Sequence, residues 1–327
     1  MLKVTAIGLL SGGLDGILAV KVVQEQGVHV EGVTFETPFF NAEKARSAAR
    51  HIGLSLTVVD ITDEHLVMLQ NPRYGYGKNM NPCIDCHAMM LRVAGRRMVE
   101  TGADFILTGE VLGQRPMSQT RQSLHIVAKN SGFEGYILRP LSARLLSETI
   151  PEQEGKVDRN RLLDIQGRSR KRQLEMARHY NITSYTTPAG GCLLTDPLFS
   201  KRLRDLFDHQ TDTTVRDIEL LKHGRHLRLS NTVKIIVGRH KGDNCAIQDL
   251  VREHDIVIKM KDYPGPLVLI VNGCDEEALL TAASICALYS DAPDDREVMA
   301  NCHHPNGSFT SVSIVAARKE DVRSLMI

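Results

Sequence analysis

The chain has 327 residues, 42% of them hydrophobic and 24% charged, and its 40 basic side chains nearly cancel its 39 acidic ones. That is the make-up of an ordinary globular protein with material for two domains. No apolar run approaches the ~18 residues of a membrane span, the first apolar stretch has no small-residue cleavage site behind it, and seven Cys without a secretion signal point to thiols or metal ligands rather than a disulfide framework; a cytoplasmic protein without a membrane partner is expected.

Residues 3–10 read as a buried strand and 14–27 as a helix ending at Gly27. Residues 29–37 form a second strand, 41–53 a helix with Asn41 as N-cap and Gly53 as C-cap, and 54–62 a third strand. A helix over 86–102, a strand over 103–111 and a fifth over 135–141 complete an alternation that predicts a parallel sheet with crossover helices. Ligands of such sheets sit beyond the carboxyl ends of the strands, where Ser11, Thr34 to Glu36, Thr108-Gly109-Glu110 and Arg139 all fall. Residues 142–230 read as mainly helical and basic. Between Lys156 and Arg178 eight basic side chains face three acidic ones, Asp158, Asp164 and Glu175, a surplus of five positive charges. Beyond residue 231 short strands such as "VKIIVGR", "DIVIKM" and "PLVLIVNG", a helix over 275–292 and a strand over 311–317 describe a smaller α+β domain. The expected organisation is an α/β domain over 1–190, a helical basic linker over 191–230 and the α+β domain over 231–327, its start placed near 228–233.

The turn Ser11-Gly12-Gly13-Leu14-Asp15-Gly16 joins the first strand to the first helix. Two glycines allow close backbone approach, and the free N–H groups and dipole of the following helix favour an anion. Taken alone, the loop reads as a tight turn or an anion site. Three thiols follow at telling places: Cys83-x-x-Cys86, and Cys192 after Gly190-Gly191. Three thiolates suit a cluster or metal with one open position better than a closed zinc site, and His87, adjacent to Cys86, is poorly placed to join the same tetrahedron. A C-x-x-C pair alone is also compatible with a redox pair, and Cys192 with a small residue in a Gly turn. Cys245, Cys274 and Cys286 read as core thiols, and His303-His304 as part of a solvated loop.

The loop resembles the S-G-G-x-D-S signature of the PP-loop ATP pyrophosphatases, matching five of six positions, with Gly16 in place of the last Ser. With "NPCIDCHAMML", "TGEVLGQRPMSQT" (108–120) and Gly-Gly-Cys, residues 1–210 resemble the tRNA thiolation enzymes of the 4-thiouridine synthetase and 2-thiouridylase type. The resemblance implies a PP-loop ATPase fold that adenylates a uridine carbonyl of tRNA and then transfers sulfur. It implies ATP bound by Ser11, Gly12, Gly13, Asp15 and Gly16, with Thr34, Phe35, Glu36, Thr108 and Gly109 around it, and Mg²⁺ to neutralise charge. It implies a [4Fe–4S] cluster on Cys83, Cys86 and Cys192, these three thiols and Asp15 forming the catalytic set, and a sulfur donor that is sulfide or cysteine-desulfurase-derived. Arg168, Arg170, Lys171 and Arg172 are expected to hold tRNA phosphates. The alternatives are a cluster-free persulfide enzyme cycling Cys86 and Cys192, a PP-loop enzyme acting on a small molecule, and an RNA-binding protein whose ATP loop has decayed, as Gly16 hints.

The resemblance departs from the 4-thiouridine synthetases in lacking their N-terminal RNA-binding extension, and the C-terminal domain is expected to supply that function. "VGRHKGDNCAIQDLVREHDIVIKMKDYPGPLVLI" (237–270) resembles the NFACT-R type of RNA-binding domain. Residues 231–327 nevertheless carry 10 bases and 14 acids, so RNA would need a local patch, and Arg239, His240, Lys241, Lys259 and Lys261 are the candidates. A stability or dimerisation module is the alternative, and a homodimer is left open.

Overall fold

The apolar runs of the first 140 residues close into a sheet because each is followed by a helix long enough to return the chain. The computed structural model describes residues 4–185, 191–304 and 307–327, and the chain divides into two units, Met1–Asp196 and Pro197–Ile327. In the first unit β1 (Thr5–Leu9), β2 (His29–Glu36), β3 (Leu56–Asp60), β4 (Phe105–Leu107) and β5 (Ile137–Leu138) form an all-parallel sheet in the order β3-β2-β1-β4-β5. Around it run α1 (Leu14–Gln24), α2 (Glu43–Ile52), α3 (Thr62–Gln70), α4 (Cys83–Thr101), α5 (Arg121–Ser131), α6 (Ile150–Gln153) and α7 (Lys171–His179). Ile7, Phe105, Ile106 and Leu107 are fully buried, as strands covered on both faces must be. The order reverses between β1 and β4, the topological switch at which such folds bind ligands.

The expected α/β architecture holds, with local differences. Gly53 does cap α2 in the left-handed region (φ 66°), but the helix starts at Glu43, and Asn41 instead accepts from the Glu43 N–H across a short turn (3.2 Å). The fifth strand shrinks to two residues, because Arg139 turns out of the sheet toward a buried carboxylate. Helices α3 and α5 were not anticipated. From 142 to 170 the chain is mostly turns, with α6 and two short 3-10 segments, rather than mainly helical.

In the second unit β6 (Arg225–Arg228), β7 (Lys234–Val237), β8 (Ile256–Met260), β9 (Val268–Ile270), β10 (Val298–His303) and β11 (Phe309–Ile314) pair antiparallel in the order β11-β10-β8-β9-β7-β6. The helices are α8 (Pro197–His209), α9 (Val215–Leu220), α10 (Lys241–Asp249), α11 (Glu276–Leu288) and α12 (Lys319–Ser324). One face of the sheet packs on Ala282, Ala283, Ile285 and Cys286 of α11; Ile236, Val257 and Leu269 of the other pack with Leu220 and Ile247. The segment expected to be a linker is divided: α8, α9 and β6 are built into this second fold. His303 belongs to β10, not to a solvated loop, and Cys245 is exposed on α10 rather than in the core, while Cys286 is buried. No helix among the described residues is long and apolar enough to cross a membrane.

Candidate active site

The chain leaves β1 through Gly12, whose φ of +81° is a glycine conformation and whose missing Cβ would lie 2.5 Å from the carbonyl of Lys44. Gly13 is extended and serves as the N-cap of α1. The first intrahelical bond is Ile17 N–H to Gly13 C=O (3.3 Å), so the N–H groups of Leu14, Asp15 and Gly16 have no acceptor within the helix and, with its dipole, suit an anion. Ser11 is exposed at the mouth. Across the switch point, the turn after β4 lies directly on this helix start: a Cβ on Gly109 would be 2.3 Å from the Gly16 nitrogen. Gly16 itself is under no such constraint, since a Cβ there would meet only Leu9 O at 3.5 Å and Leu10 Cδ1 at 3.6 Å. Thr34 and Phe35 at the end of β2, and Thr108 after β4, are buried; Glu36 is half-buried.

Asp15 joins a polar chain. Gln114 Nε2 donates to Asp15 Oδ2 (2.7 Å) and Gln173 Nε2 donates to Gln114 Oε1 (3.1 Å). Arg170 Nη2 lies 3.6 Å from Asp15 Oδ1, an oxygen that is buried and accepts no hydrogen bond. Arg170 caps the start of α7, whose buried Gln173 faces the same polar chain, so its side chain is drawn to the loop carboxylate.

Cys83 and Cys86 stand one turn apart at the start of α4. Cys192 precedes a 3-10 turn fastened by Leu193 N–H to Phe39 C=O (3.0 Å) and by Asn79 Nδ2 to Thr195 C=O (2.7 Å); residues 186–190, including the Gly190 of the expected Gly-Gly-Cys motif, lie outside the described residues. Asn81 Nδ2 donates to Cys83 Sγ (3.2 Å). Burial, with Cys192 and Cys83 as neighbours, pushes the Cys86 thiol well above its ordinary range, and burial likewise pushes Cys192 up to about 11. Each of these two thiols is also raised by the charge of its neighbours, Cys86 by Cys192 and Cys83, and Cys192 by Cys83. Among the described residues no group of three His, Cys, Asp or Glu side chains is placed to hold a metal ion; a four-iron cube holds its thiolates farther apart than a single ion does, and a three-thiol donor set with no fourth protein ligand suits it.

A third assembly joins Thr108, Glu110 and Arg139, expected together at the strand ends, to His87, which the sequence reading did not place with them. Glu110 Oε2 accepts from Arg139 Nε (2.9 Å) and Thr108 Oγ1 (3.2 Å), and Glu110 Oε1 lies 3.1 Å from His87 Nδ1. Burial alone would raise the Glu110 carboxyl, but Arg139 and His87 override it and hold it at about 2. This network ties the residue after Cys86 to the turn that packs on the loop helix. The Thr-Gly-Glu at the end of β4 was the available signal; nothing in the spacing paired it with His87.

The basic segment is less unopposed than its local count. Lys156 pairs with Asp104 and Glu154, Arg159 with Glu152, and Arg172 with Asp164 (2.6 Å). Arg168 and Lys171 are exposed, with no acidic partner in ion-pair range among the described residues. In the second unit Arg239 is bound to the buried Asp243 (2.6 Å), whose backbone N–H is taken by the His240 ring, so the Gly-Arg-His…Asp stretch caps α10. Lys241, Lys259 and Lys261 are exposed.

Residues 2–145 match the family model described as thiamine biosynthesis protein (ThiI), and residues 224–326 match that described as the NFACT protein RNA binding domain. The first match lies within the first unit and the second within the second unit. A probable tRNA sulfurtransferase of Caldanaerobacter subterraneus subsp. tengcongensis is 32% identical over 142 residues, covering 41% of this chain and 35% of the relative; the chain thus spans about a third of the length of that relative. A solved 4-thiouridine synthetase in complex with RNA and bound ATP is 22% identical and covers 67% of this chain and 52% of its own, with a TM-score of 0.35. The C-terminal part of the fibronectin/fibrinogen-binding protein of Streptococcus suis is 14% identical and covers 48% of this chain and 73% of its own, with a TM-score of 0.29.

Proposed function

We propose that the chain is an ATP-dependent tRNA thiolation enzyme of the cytoplasm. The observation that carries this reading is the placement of a glycine loop, with a buried Asp15 oxygen that accepts no hydrogen bond beside it, at the strand switch of a domain that also carries Cys83, Cys86 and Cys192. The name of the curated relative points the same way.

In this reading Gly12, Gly13 and the first N–H groups of α1 take the pyrophosphate end of ATP, with Ser11 adding a hydroxyl. Asp15 Oδ1, an oxygen without a donor, suits Mg²⁺, and Arg170 stands beside it to meet phosphate. Thr34, Phe35, Glu36, Thr108 and Gly109 border the nucleotide. The target uridine leaves its stack at a cost of a few kcal/mol. Its carbonyl oxygen attacks the α-phosphorus, pyrophosphate leaves, and the ring nitrogen gives up its proton; sulfur then displaces AMP from the carbon, and the nitrogen is reprotonated. Cys83, Cys86 and Cys192 would hold a [4Fe–4S] cluster, which when bound supplies an iron site without a protein ligand and the sulfur chemistry that goes with it. Arg168, Lys171 and Arg172 hold RNA phosphates.

The test is anaerobic incubation with α-labelled ATP, sulfide and tRNA from cells lacking the protein. AMP and thiouridine should form in equal amounts, and Asp15→Ala or Cys192→Ala should abolish both. Pyrophosphate exchange without any thiouridine would favour a small-molecule substrate, and no AMP at all would leave an RNA-binding protein. Full activity with sulfide in iron-free, colourless protein would remove the cluster and leave sulfide to attack the adenylated carbon directly. A persulfide relay would show instead as activity that needs a persulfide (sulfane-sulfur) donor, the outer sulfur of the Cys86 persulfide passing to the uridine as Cys192 closes a Cys86–Cys192 disulfide, and a dithiol reductant to reopen it.

A further inference from the structure

Helix α7 buries a residue that its packing does not call for. Gln173 is fully buried, and Ala177 one turn on belongs to the core that includes Leu14, Leu18 and Val22 of α1, while the neighbouring Leu174 is 39% exposed. The inward face of a helix is ordinarily apolar, because an amide taken out of water costs stability unless its hydrogen bonds are made. Gln173 makes only part of its set. Its Nε2 donates to Gln114 Oε1 (3.1 Å), and its Oε1 is buried with no hydrogen-bond partner among the described residues. A residue that breaks the local rule without repaying it in stability points to function.

The direction of the amide chain is dictated from its other end. An ionised carboxylate only accepts, so Gln114 must turn its NH₂ group to Asp15 Oδ2 (2.7 Å). The Gln114 carbonyl then faces α7. An acceptor there would repel it, and an apolar side chain would leave the amide free to rotate; a donor fixes it. Gln173 supplies that donor and, in doing so, leaves its own carbonyl unbonded in the interior. The result at the loop is an asymmetric carboxylate. Oδ2 is held by an amide, whereas Oδ1 is buried without a hydrogen bond, 3.6 Å from Arg170 Nη2.

We propose that Gln173 is a positioning residue for nucleotide binding: acting through Gln114, it fixes the Asp15 carboxylate with Oδ1 left open for the Mg²⁺ that accompanies ATP. Gln173 itself touches neither the metal ion nor the nucleotide. Groups that hydrogen-bond behind a metal-binding carboxylate set its orientation and so its affinity. The inference rests on the proposed function in taking the loop as an ATP site, and it needs neither tRNA nor iron. It also separates cleanly from a structural role. A structural amide stabilises the fold, and its removal lowers the melting temperature. An amide kept for Asp15 carries an unbonded buried carbonyl, and its replacement by an apolar side chain relieves the fold while it loosens the loop.

The test is calorimetric titration of the full chain with α,β-methylene-ATP, which cannot be cleaved between its α and β phosphates, across a range of Mg²⁺ and in EDTA. Gln173→Met keeps the length of the side chain and removes the amide; Gln173→Leu is the second variant. Both should melt at or above the temperature of the native chain. Both should need about tenfold more Mg²⁺ for half-maximal nucleotide binding, the low end of what a group behind a metal carboxylate supplies, and should bind like the native chain in EDTA. In a Gln114→Ala background Gln173→Met should add nothing, because its effect passes through Gln114. The inference is overturned if the Mg²⁺ requirement is unchanged, if the loss is as large in EDTA, or if it adds to that of Gln114→Ala. It is overturned equally if both variants melt earlier or fail to fold, as removal of a structural amide would cause. A native chain that binds no nucleotide overturns the ATP reading together with this inference, whereas native binding with unaffected variants overturns this inference alone.

Discussion

A serine side chain fits where Gly16 stands. Its Cβ would make ordinary contacts, and in a helix Gly costs more than Ser by roughly 0.3–0.5 kcal/mol. Gly16→Ser should therefore leave the melting temperature unchanged or slightly higher and bind ATP at least as tightly, by calorimetric titration. Gly109→Ala should do the reverse, because its Cβ has only the backbone of Asp15 and Gly16 to displace; at least a tenfold loss of ATP affinity is expected. The departure at Gly16 is thus not forced by packing, and Gly109 is the more demanding glycine. Glu110 gives a prediction in pH. Its carboxyl is held at about 2 in the fold against an ordinary 4.5, so it stabilises the protein above about pH 4.5 and that share, roughly 3 kcal/mol, is lost as pH falls toward 2. Glu110→Gln should be destabilised in urea at pH 7, and its difference from the native chain should shrink as the pH falls below 4.5. A constant difference would remove the Arg139–His87 explanation.

Among the elements, α8 is the clearest case where local sequence misleads. Read along the chain it is a basic amphipathic helix in a linker. In the fold its Asp205 accepts from Arg228 of β6 (2.7 Å) and Lys234 of β7 (3.0 Å), and Lys234 is almost fully buried, its amine pushed down by that burial against the pull of Asp205. Asp205→Ala should cost about 3–5 kcal/mol, since it strands a buried ammonium, read as earlier thermal unfolding. Long-range charge pairs of this kind have no local signature. The same reason explains why the surplus at 156–178 looked free: its acidic partners Asp104, Glu152 and Glu154 are supplied from outside or before the segment. Strand β10 was missed because Met299, Asn301 and His303 interrupt its apolar set, and the alternation shows only once the core side is known. By contrast β1, β2, β3 and α1 were legible, because continuous apolar runs and glycine stops leave few alternatives. The loop and the three cysteines were legible as motifs; their union with His87, Glu110 and Arg170 needed the strand order.

At the scale of the whole molecule, the proposed activation and sulfur transfer both fall to the first unit, which also carries Arg168, Lys171 and Arg172 for RNA. Iron should report on the first. Anaerobically purified chain should be brown, with absorbance near 400 nm, and Cys83→Ala, Cys86→Ala and Cys192→Ala should each lose iron and colour while Cys245→Ala, at an exposed thiol on α10, keeps both. The central claim, that this chain thiolates tRNA through the site formed by its loop and its thiols, is tested most directly by mass spectrometry of tRNA nucleosides from a strain deleted for it. The account predicts that one thiouridine disappears, returns with the native chain, and does not return with Asp15→Ala or Cys192→Ala. A full complement of thionucleosides in the deletion strain, or restoration by the Cys192→Ala chain, would contradict it.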